Sequence, residues 1–160
     1  MDFQLAAMTQ EQAEEISFNW HYEGKYSFYD MEADVEDLKE FLDPETRGDM
    51  FYSAMKDGQL IGFFSFEKTA SRTVDVGLGM RPDLTGSGKG QVFLMGGIAF
   101  ARETYKSEKL TLSVAVFNER AISLYKKVGF QEVETFRQDT NGGNYEFLRM
   151  VYDCKGRDGS

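Results

Sequence analysis

The stretch VGLGMRPDLTGSGKG, residues 76–90, decides how this chain folds. An alternating apolar pattern over residues 73–80 predicts a strand, and a mostly buried helix is predicted over residues 91–105. Between them lies a glycine-rich loop. Alternating glycines let backbone N–H groups turn toward one point, and the N-terminus of the following helix adds partial positive charge. The stretch therefore predicts a site for a phosphate or pyrophosphate group.

Two common nucleotide-binding motifs do not fit this loop. A Walker loop ends in Gly-Lys-Ser/Thr, whereas Lys89 is followed by Gly90, and the earlier glycine is missing. A dinucleotide fingerprint reads Gly-x-Gly-x-x-Gly, whereas the glycines here stand at 86, 88 and 90. The spacing disfavours a nucleotide-binding protein.

A second motif, VAVFNERAISLYKKVGF, spans residues 114–130. It predicts the end of a strand and then a helix over residues 119–128, with Asn118 as its N-cap. In this order, the two motifs resemble the acetyl-coenzyme A segments of the GNAT superfamily of N-acetyltransferases. That family has an apolar-x-Pro step before its glycine loop, and later Asn-x-x-Ala-x-x-x-Tyr-x-x-x-Gly-Phe. The sequence departs from the pattern at Thr85, where the family usually has Arg or Gln, but a threonine hydroxyl can still donate to a phosphate oxygen.

The order of elements predicts one α/β domain of the α+β type over residues 1–154, with a polar tail over residues 155–160. We expect a mixed, mostly antiparallel sheet of about six to seven strands, flanked by about four helices. Thr9 should cap the first helix, and Asp43-Pro44 should end the second, which begins at Asp34. Asp57-Gly58 should turn a hairpin, and the last two strands are predicted over residues 130–134 and 145–152.

The resemblance implies that acetyl-CoA is the co-substrate. It also implies that the strand over residues 73–80 separates from its neighbour, so that backbone groups near Met80 can face the pantetheine arm and the thioester oxygen. The expected cofactor-binding residues are Leu78, Met80, Thr85, Gly86, Ser87, Gly88, Lys89, Gly90 and Asn118.

For catalysis, the resemblance assigns Tyr125 as the general acid that protonates the departing thiolate; the other interpretation is an ordinary core tyrosine. Asp75 lies where some relatives carry a catalytic Glu, so we expect it to be the general base. It could equally be a strand carboxylate with no chemical role. His21, Tyr29 and Glu67 are lesser candidates for the base.

The connection between the first two helices is expected to form a wall of the acceptor site. Aromatic side chains beside carboxylates suit a cationic small-molecule or peptide amine. The candidate substrate-binding residues are His21, Tyr22, Tyr26 and Tyr29. The alternatives are an aromatic satellite core beneath an acidic helix start and, for His21, a loop histidine with protein partners.

The composition limits the kinds of partner that the protein is expected to bind. A formal net charge of −9 argues against nucleic acid, and a single histidine with a single cysteine, Cys154, argues against a zinc site and an internal disulfide. Without a signal peptide or a long apolar run, we expect a cytoplasmic protein that does not enter the membrane. A homodimer through an edge strand is compatible with the sequence. The alternative to an enzyme is a non-catalytic acyl-CoA-binding module.

Overall fold

In a computed structural model, which describes residues 3–85 and 88–154, one sheet forms the centre of the molecule. The α-helices and strands are β1 (Gln4–Ala7), α1 (Gln10–Asn19), α2 (Val35–Leu42), α3 (Pro44–Arg47), β2 (Phe51–Lys56), β3 (Gln59–Ala70), β4 (Thr73–Met80), α4 (Gly90–Tyr105), β5 (Lys109–Ala115), α5 (Glu119–Val128), β6 (Gln131–Thr140) and β7 (Gly143–Asp153). Short 3₁₀ helices cover Gly24–Tyr29, Met31–Ala33 and Pro82–Leu84.

The seven described strands are ordered β1-β2-β3-β4-β5-β7-β6. Only β4 and β5 run parallel, and every other neighbouring pair is antiparallel. This confirms the predicted mixed, mostly antiparallel sheet. The strand β6 forms one edge of it, and dimerisation through such an edge stays a prediction.

Local signals placed most element ends correctly. Thr9 and Gln12 form the predicted capping box, with hydrogen bonds of 3.1 and 2.9 Å. Asp57 and Gly58 both adopt positive φ, 51° and 79°, as a two-residue type I′ hairpin turn requires. Short-range hydrogen bonding thus specifies these boundaries.

The predicted end of α2 is confirmed, whereas the predicted ends of the last two strands were wrong. Asp43-Pro44 ends α2 but also begins α3, because Asp43 caps the backbone N–H of Glu45 and proline suits a first helical turn. The strands predicted over residues 130–134 and 145–152 are longer. Their pairing continues to Thr140 and Gly143 at a tight turn, so the last hairpin extends well beyond its apolar residues.

Helices cover both faces of the sheet. Successive strand residues point to opposite faces, so Phe63 packs with Trp20 and Phe41 on the α1–α2 side, whereas Phe64 belongs to the larger core beneath α4 and α5. The helix α4 lies close to the sheet at Gly97, where an added Cβ would come within 2.2 Å of the Phe64 ring.

The predicted tail over residues 155–160, and Gly86 and Ser87 of the glycine loop, lie outside the described residues. In the part of the chain that is described, no helix is both long and apolar enough to cross a membrane.

Candidate active site

The two parallel strands of the sheet separate halfway along their length. The strands β4 and β5 pair only from Thr73–Asp75 to Lys109–Thr111. Beyond that point, β4 stays with β3 as far as Met80, and β5 stays with β7 as far as Ala115. The predicted separation of this strand from its neighbour is confirmed, and it leaves a gap in the sheet.

Backbone groups of β4 point into this gap. The N–H of Arg81 donates to the carbonyl of Ile61 on β3 at 2.9 Å. Because backbone direction alternates along a strand, the amides of Leu78 and Met80 point the opposite way, toward β5. The parallel ladder no longer takes up these groups, so they are available to a ligand lying between the strands.

A cavity of about 650 Å³ occupies the gap and opens through the sheet. The predicted site residues that line it are Tyr22, Tyr26, Tyr29, Leu78, Met80, Thr85, Gly88, Gly90, Asn118 and Tyr125. Four other candidate residues, His21, Glu67, Asp75 and Lys89, are not part of this wall. Gly86 and Ser87 fall outside the described residues.

Tyr125 stands on α5, with its ring against Phe130 at a centroid distance of 5.9 Å. Burial raises the pKa of Tyr125 well above its usual range, and the neighbouring Tyr29 raises it further. The phenol therefore keeps its proton at neutral pH. A protonated hydroxyl in the cavity wall can act as a proton donor.

Asn118 connects α5 to the chain between α1 and α2, whose residues 22–29 we call the acceptor segment. Its side-chain oxygen accepts from the N–H of Ala121 at 3.2 Å, which confirms the predicted N-cap. Its Nδ2 donates to the hydroxyl of Tyr29, also at 3.2 Å. Both ends of this amide thus have protein partners.

The acceptor segment also contacts the opposite side of the gap. Tyr22 donates its hydroxyl proton to the carbonyl oxygen of Met80 at 2.7 Å, and burial raises the pKa of Tyr22. Tyr26 lies beneath the guanidinium of Arg120, 4.3 Å from the ring centroid. The segment over residues 22–29 therefore bridges β4 and α5 across the cavity.

Thr85 does not direct its hydroxyl as the sequence suggested. The hydroxyl was expected to donate to a phosphate, but its one proton goes to the carbonyl oxygen of Pro82 at 2.7 Å. Lys89 precedes α4 and is exposed. Gly88 has a φ of 81°, a backbone conformation that favours glycine.

Asp75 lies where the two strands part, but outside the cavity wall. Its carboxylate accepts from the hydroxyl of Thr111 at 2.7 Å. Burial raises the pKa of Asp75, and the cross-strand neighbour Glu67 raises it further, against the hydrogen bond from Thr111. The Asp75 carboxylate therefore does not face the cavity, where it could contact a substrate directly.

His21 has protein partners at the surface. Its side chain is 53% exposed, Nε2 lies 2.9 Å from the carbonyl oxygen of Phe18, and Nδ1 lies 3.3 Å from Asp30. The hydrogen bond to Phe18 raises the pKa of His21, and Asp30 adds to the shift. This geometry matches the alternative of a loop histidine with its own partners.

Part of the cavity wall consists of residues that were not among the predicted site residues. Trp20, Met31 and Phe63 line the cavity on the acceptor side, and Ser113 and Arg120 line it near β5 and α5. The helical spacing of apolar residues in and after α1 does indicate an apolar face that includes Trp20. Only contacts between distant segments bring the others to the gap, so no local pattern could have identified them.

Comparisons with known proteins agree with this geometry. The chain matches the Acetyltransferase (GNAT) family over residues 6–130. It is 30% identical over 126 residues to an N-alpha-acetyltransferase of Sulfurisphaera tokodaii, covering 71% of this chain and 72% of that protein. It is 28% identical over 146 residues to the peptidyl-lysine N-acetyltransferase YjaB of Escherichia coli K12, covering 89% and 91%.

Among solved structures, a SpeG spermidine N-acetyltransferase chimera from Vibrio cholerae and hSSAT superposes with a TM-score of 0.73 at 17% identity, covering 96% of each chain. At that identity the likeness shows the fold alone. With the family match, it confirms the resemblance seen in the sequence. The chain belongs to the GNAT family of N-acetyltransferases and is an acetyltransferase.

Proposed function

We propose that this protein transfers the acetyl group of acetyl-CoA to a primary amine, by direct attack while both substrates are bound. The observation that carries the proposal is the gap between β4 and β5, with free backbone amides on one side and Tyr125 on the other. A thioester lying in the gap would have its carbonyl oxygen near the backbone amides of β4 and its sulfur near the Tyr125 hydroxyl.

The residues around the gap suit an anionic coenzyme. The charged residues that line the described cavity wall are Arg120 and Lys127, both positive. The glycine loop ends in the N-terminus of α4, which favours phosphate. The amides of Leu78 and Met80 could pair with the pantetheine arm. Since the Thr85 hydroxyl is used inside the loop, we expect backbone N–H groups to carry the phosphate contacts.

The proposed steps follow from these positions. The neutral amine nitrogen attacks the thioester carbonyl carbon, and the Met80 N–H stabilises the negative charge that develops on oxygen. The carbon–sulfur bond then breaks, and the thiolate takes the proton of the Tyr125 hydroxyl. The proton that the amine loses goes to Asp75 through water, because Asp75 stands outside the cavity wall.

The relatives support an amine acceptor in general terms. The two similar curated proteins are named for α-amino and peptidyl-lysine acetylation, and the similar structure for spermidine. These names differ in acceptor but agree in the reacting group. We therefore propose a primary amine, either in a small molecule or in a peptide.

Free-thiol release from acetyl-CoA with a panel of amines tests the proposal, with Tyr125→Phe as the central variant. General acid catalysis contributes roughly 10²- to 10⁴-fold, so kcat should fall by about that factor. Calorimetry should still show coenzyme binding, because the ring remains. Tyr105→Phe, which removes a hydroxyl bonded to Tyr52 outside the cavity wall, is the matched control.

Two outcomes would count against the mechanism or the function. A Tyr125→Phe enzyme within about threefold of the wild-type kcat would remove Tyr125 as the acid. Coenzyme binding without thiol release from any amine would favour the alternative, a non-catalytic acyl-CoA-binding module.

A further inference from the structure

The acceptor side of the cavity is apolar and aromatic. Its wall on the α1 side consists of aliphatic, thioether and aromatic side chains: Ile16, Trp20, Tyr22, Tyr26, Tyr29, Met31 and Phe63. The rings of Trp20 and Phe63 are 6.3 Å apart and almost fully buried. A group that lies against this wall therefore loses its contact with water.

The charges around the cavity are unsuited to a polycation. No Asp or Glu is among the described residues that line it, and Arg120 and Lys127 supply its formal charges. Arg120 already covers the ring of Tyr26 at 4.3 Å, so that aromatic face is occupied by a cation. A second ammonium group here would find no carboxylate among the described residues that line the cavity.

Two carboxylates of the neighbouring segment, Asp30 and Asp34, have protein partners. One oxygen of Asp30 accepts from the N–H of Tyr22 at 2.8 Å, and the other lies 3.3 Å from His21. Asp34 caps α2 and also accepts from the backbone N–H of Asn141 at 2.8 Å. These two carboxylates, which stand beside the aromatic segment, thus hold the loop together.

Resting on the proposed function, we propose that the acceptor is a primary amine bearing an apolar or aromatic side group and no second positive charge. The reacting amine must lose its proton in any case, so it needs no permanent counter-ion. The side group gains by burial against Trp20, Met31 and Phe63. Both a free amine and the N-terminus of a peptide with an apolar first residue present this chemistry.

The first experiment compares kcat/KM for defined acceptors by thiol release. Phenethylamine and leucinamide represent free amines, a Leu-Gly-Gly peptide represents an N-terminus, and spermidine represents a polycation. Burying one apolar side chain should favour the first three over spermidine by at least about tenfold. Comparing leucinamide with the peptide distinguishes the two sources.

The second experiment places a carboxylate in the wall. Met31→Glu should raise the ratio of kcat/KM for spermidine to that for leucinamide by at least about tenfold, whereas Met31→Gln, neutral and of similar size, should not. Ser113→Asp against Ser113→Asn repeats the test at an exposed lining residue on the β5 side, in case the change at partly buried Met31 prevents folding. Coenzyme binding verifies the fold of each variant.

The outcomes separate this inference from the proposed function. Thiol release that is fastest with spermidine, or ratios that do not change in both acidic variants, would overturn the inference and leave the transferase standing. If the protein binds the coenzyme but releases no thiol with any of the acceptors, the proposed function is overturned and the inference with it.

Discussion

At the scale of single residues, the site differs from its surroundings in how each hydroxyl proton is used. Tyr22 donates to Met80, and Thr85 donates to Pro82. Between described residues, no hydrogen bond involves the hydroxyl of Tyr125, whose pKa is raised by burial. Of these hydroxyl groups, Tyr125 alone has its proton free for a substrate.

Asp75→Asn tests the proposed base through the pH dependence of kcat/KM. The raised pKa of Asp75 means that the active carboxylate is lost as pH falls through a value above the usual range for Asp. In the wild type, kcat/KM should therefore fall on the acidic side. In the variant, we expect this limb to disappear and kcat/KM near neutral pH to drop by about 10²-fold or more.

The stability of Asp75→Asn must be measured as a control, so that a loss of activity is not mistaken for a loss of fold. A carboxyl whose folded pKa is raised contributes stability below its unfolded pKa and loses that contribution as pH rises through the folded pKa. Asp75→Asn should therefore not destabilise the fold at pH 7, since asparagine can still accept from Thr111. Glu67→Gln, which changes the cross-strand carboxylate, is the matched variant. If both lose activity equally, Asp75 has no special role as base.

At the scale of elements, the N-cap residue of α5 bonds both to its own helix and to the acceptor segment. Asn118 caps the helix through its oxygen and holds Tyr29 through its nitrogen. The helix that carries Tyr125 and the loop that forms the acceptor wall are therefore connected through one amide. On the opposite side of the cavity, the hydrogen bond from Tyr22 to Met80 joins the same loop to β4.

Substitutions at Asn118 can separate these two roles. Asn118→Ala should lower the free energy of unfolding by about 1 kcal/mol, the usual cost of a lost N-cap. Asn118→Asp keeps an oxygen for the Ala121 N–H and places negative charge at a helix N-terminus, so it should cost less than about 0.5 kcal/mol. Urea unfolding gives both values. Equal losses would mean that the bond to Tyr29, and not the cap, stabilises this region.

At the scale of the whole molecule, the gap makes the sheet two units joined at the start of β4 and β5. One unit ends in β4, the other begins with β5, and the described ladder between them covers three residue pairs. A ligand in the gap would complete the sheet. Its binding should therefore stabilise the two units together.

Amide hydrogen exchange with and without acetyl-CoA measures this effect. We expect the amides of Leu78 and Met80 to exchange at least about tenfold more slowly when the coenzyme is bound. The Arg81 amide, already bonded to Ile61, serves as the internal reference and should change less. Equal protection at all three positions would indicate general tightening of the fold rather than pairing at the gap.

Much of the fold follows from local patterns. The capping box at Thr9, the Asp57-Gly58 turn and the bounds of β4 and α5 were predictable, because each depends on hydrogen bonds or periodicity within a few residues. The hairpin of β6 and β7 was predicted too short. Its outer part is stabilised by pairing between strands and not by an apolar pattern.

The sequence by itself determined the family, the glycine loop and Tyr125, because these lie in contiguous motifs. It indicated Tyr22, Tyr26 and Tyr29 through their place between the first two helices. Only the tertiary structure decided which of them share a wall. The parting of β4 from β5 depends on the register of four strands, and that register opens the cavity, leaves Asp75 outside it and brings Met31, Phe63 and Arg120 to its surface. Such register is set by contacts between residues far apart in the chain, which no local spacing records.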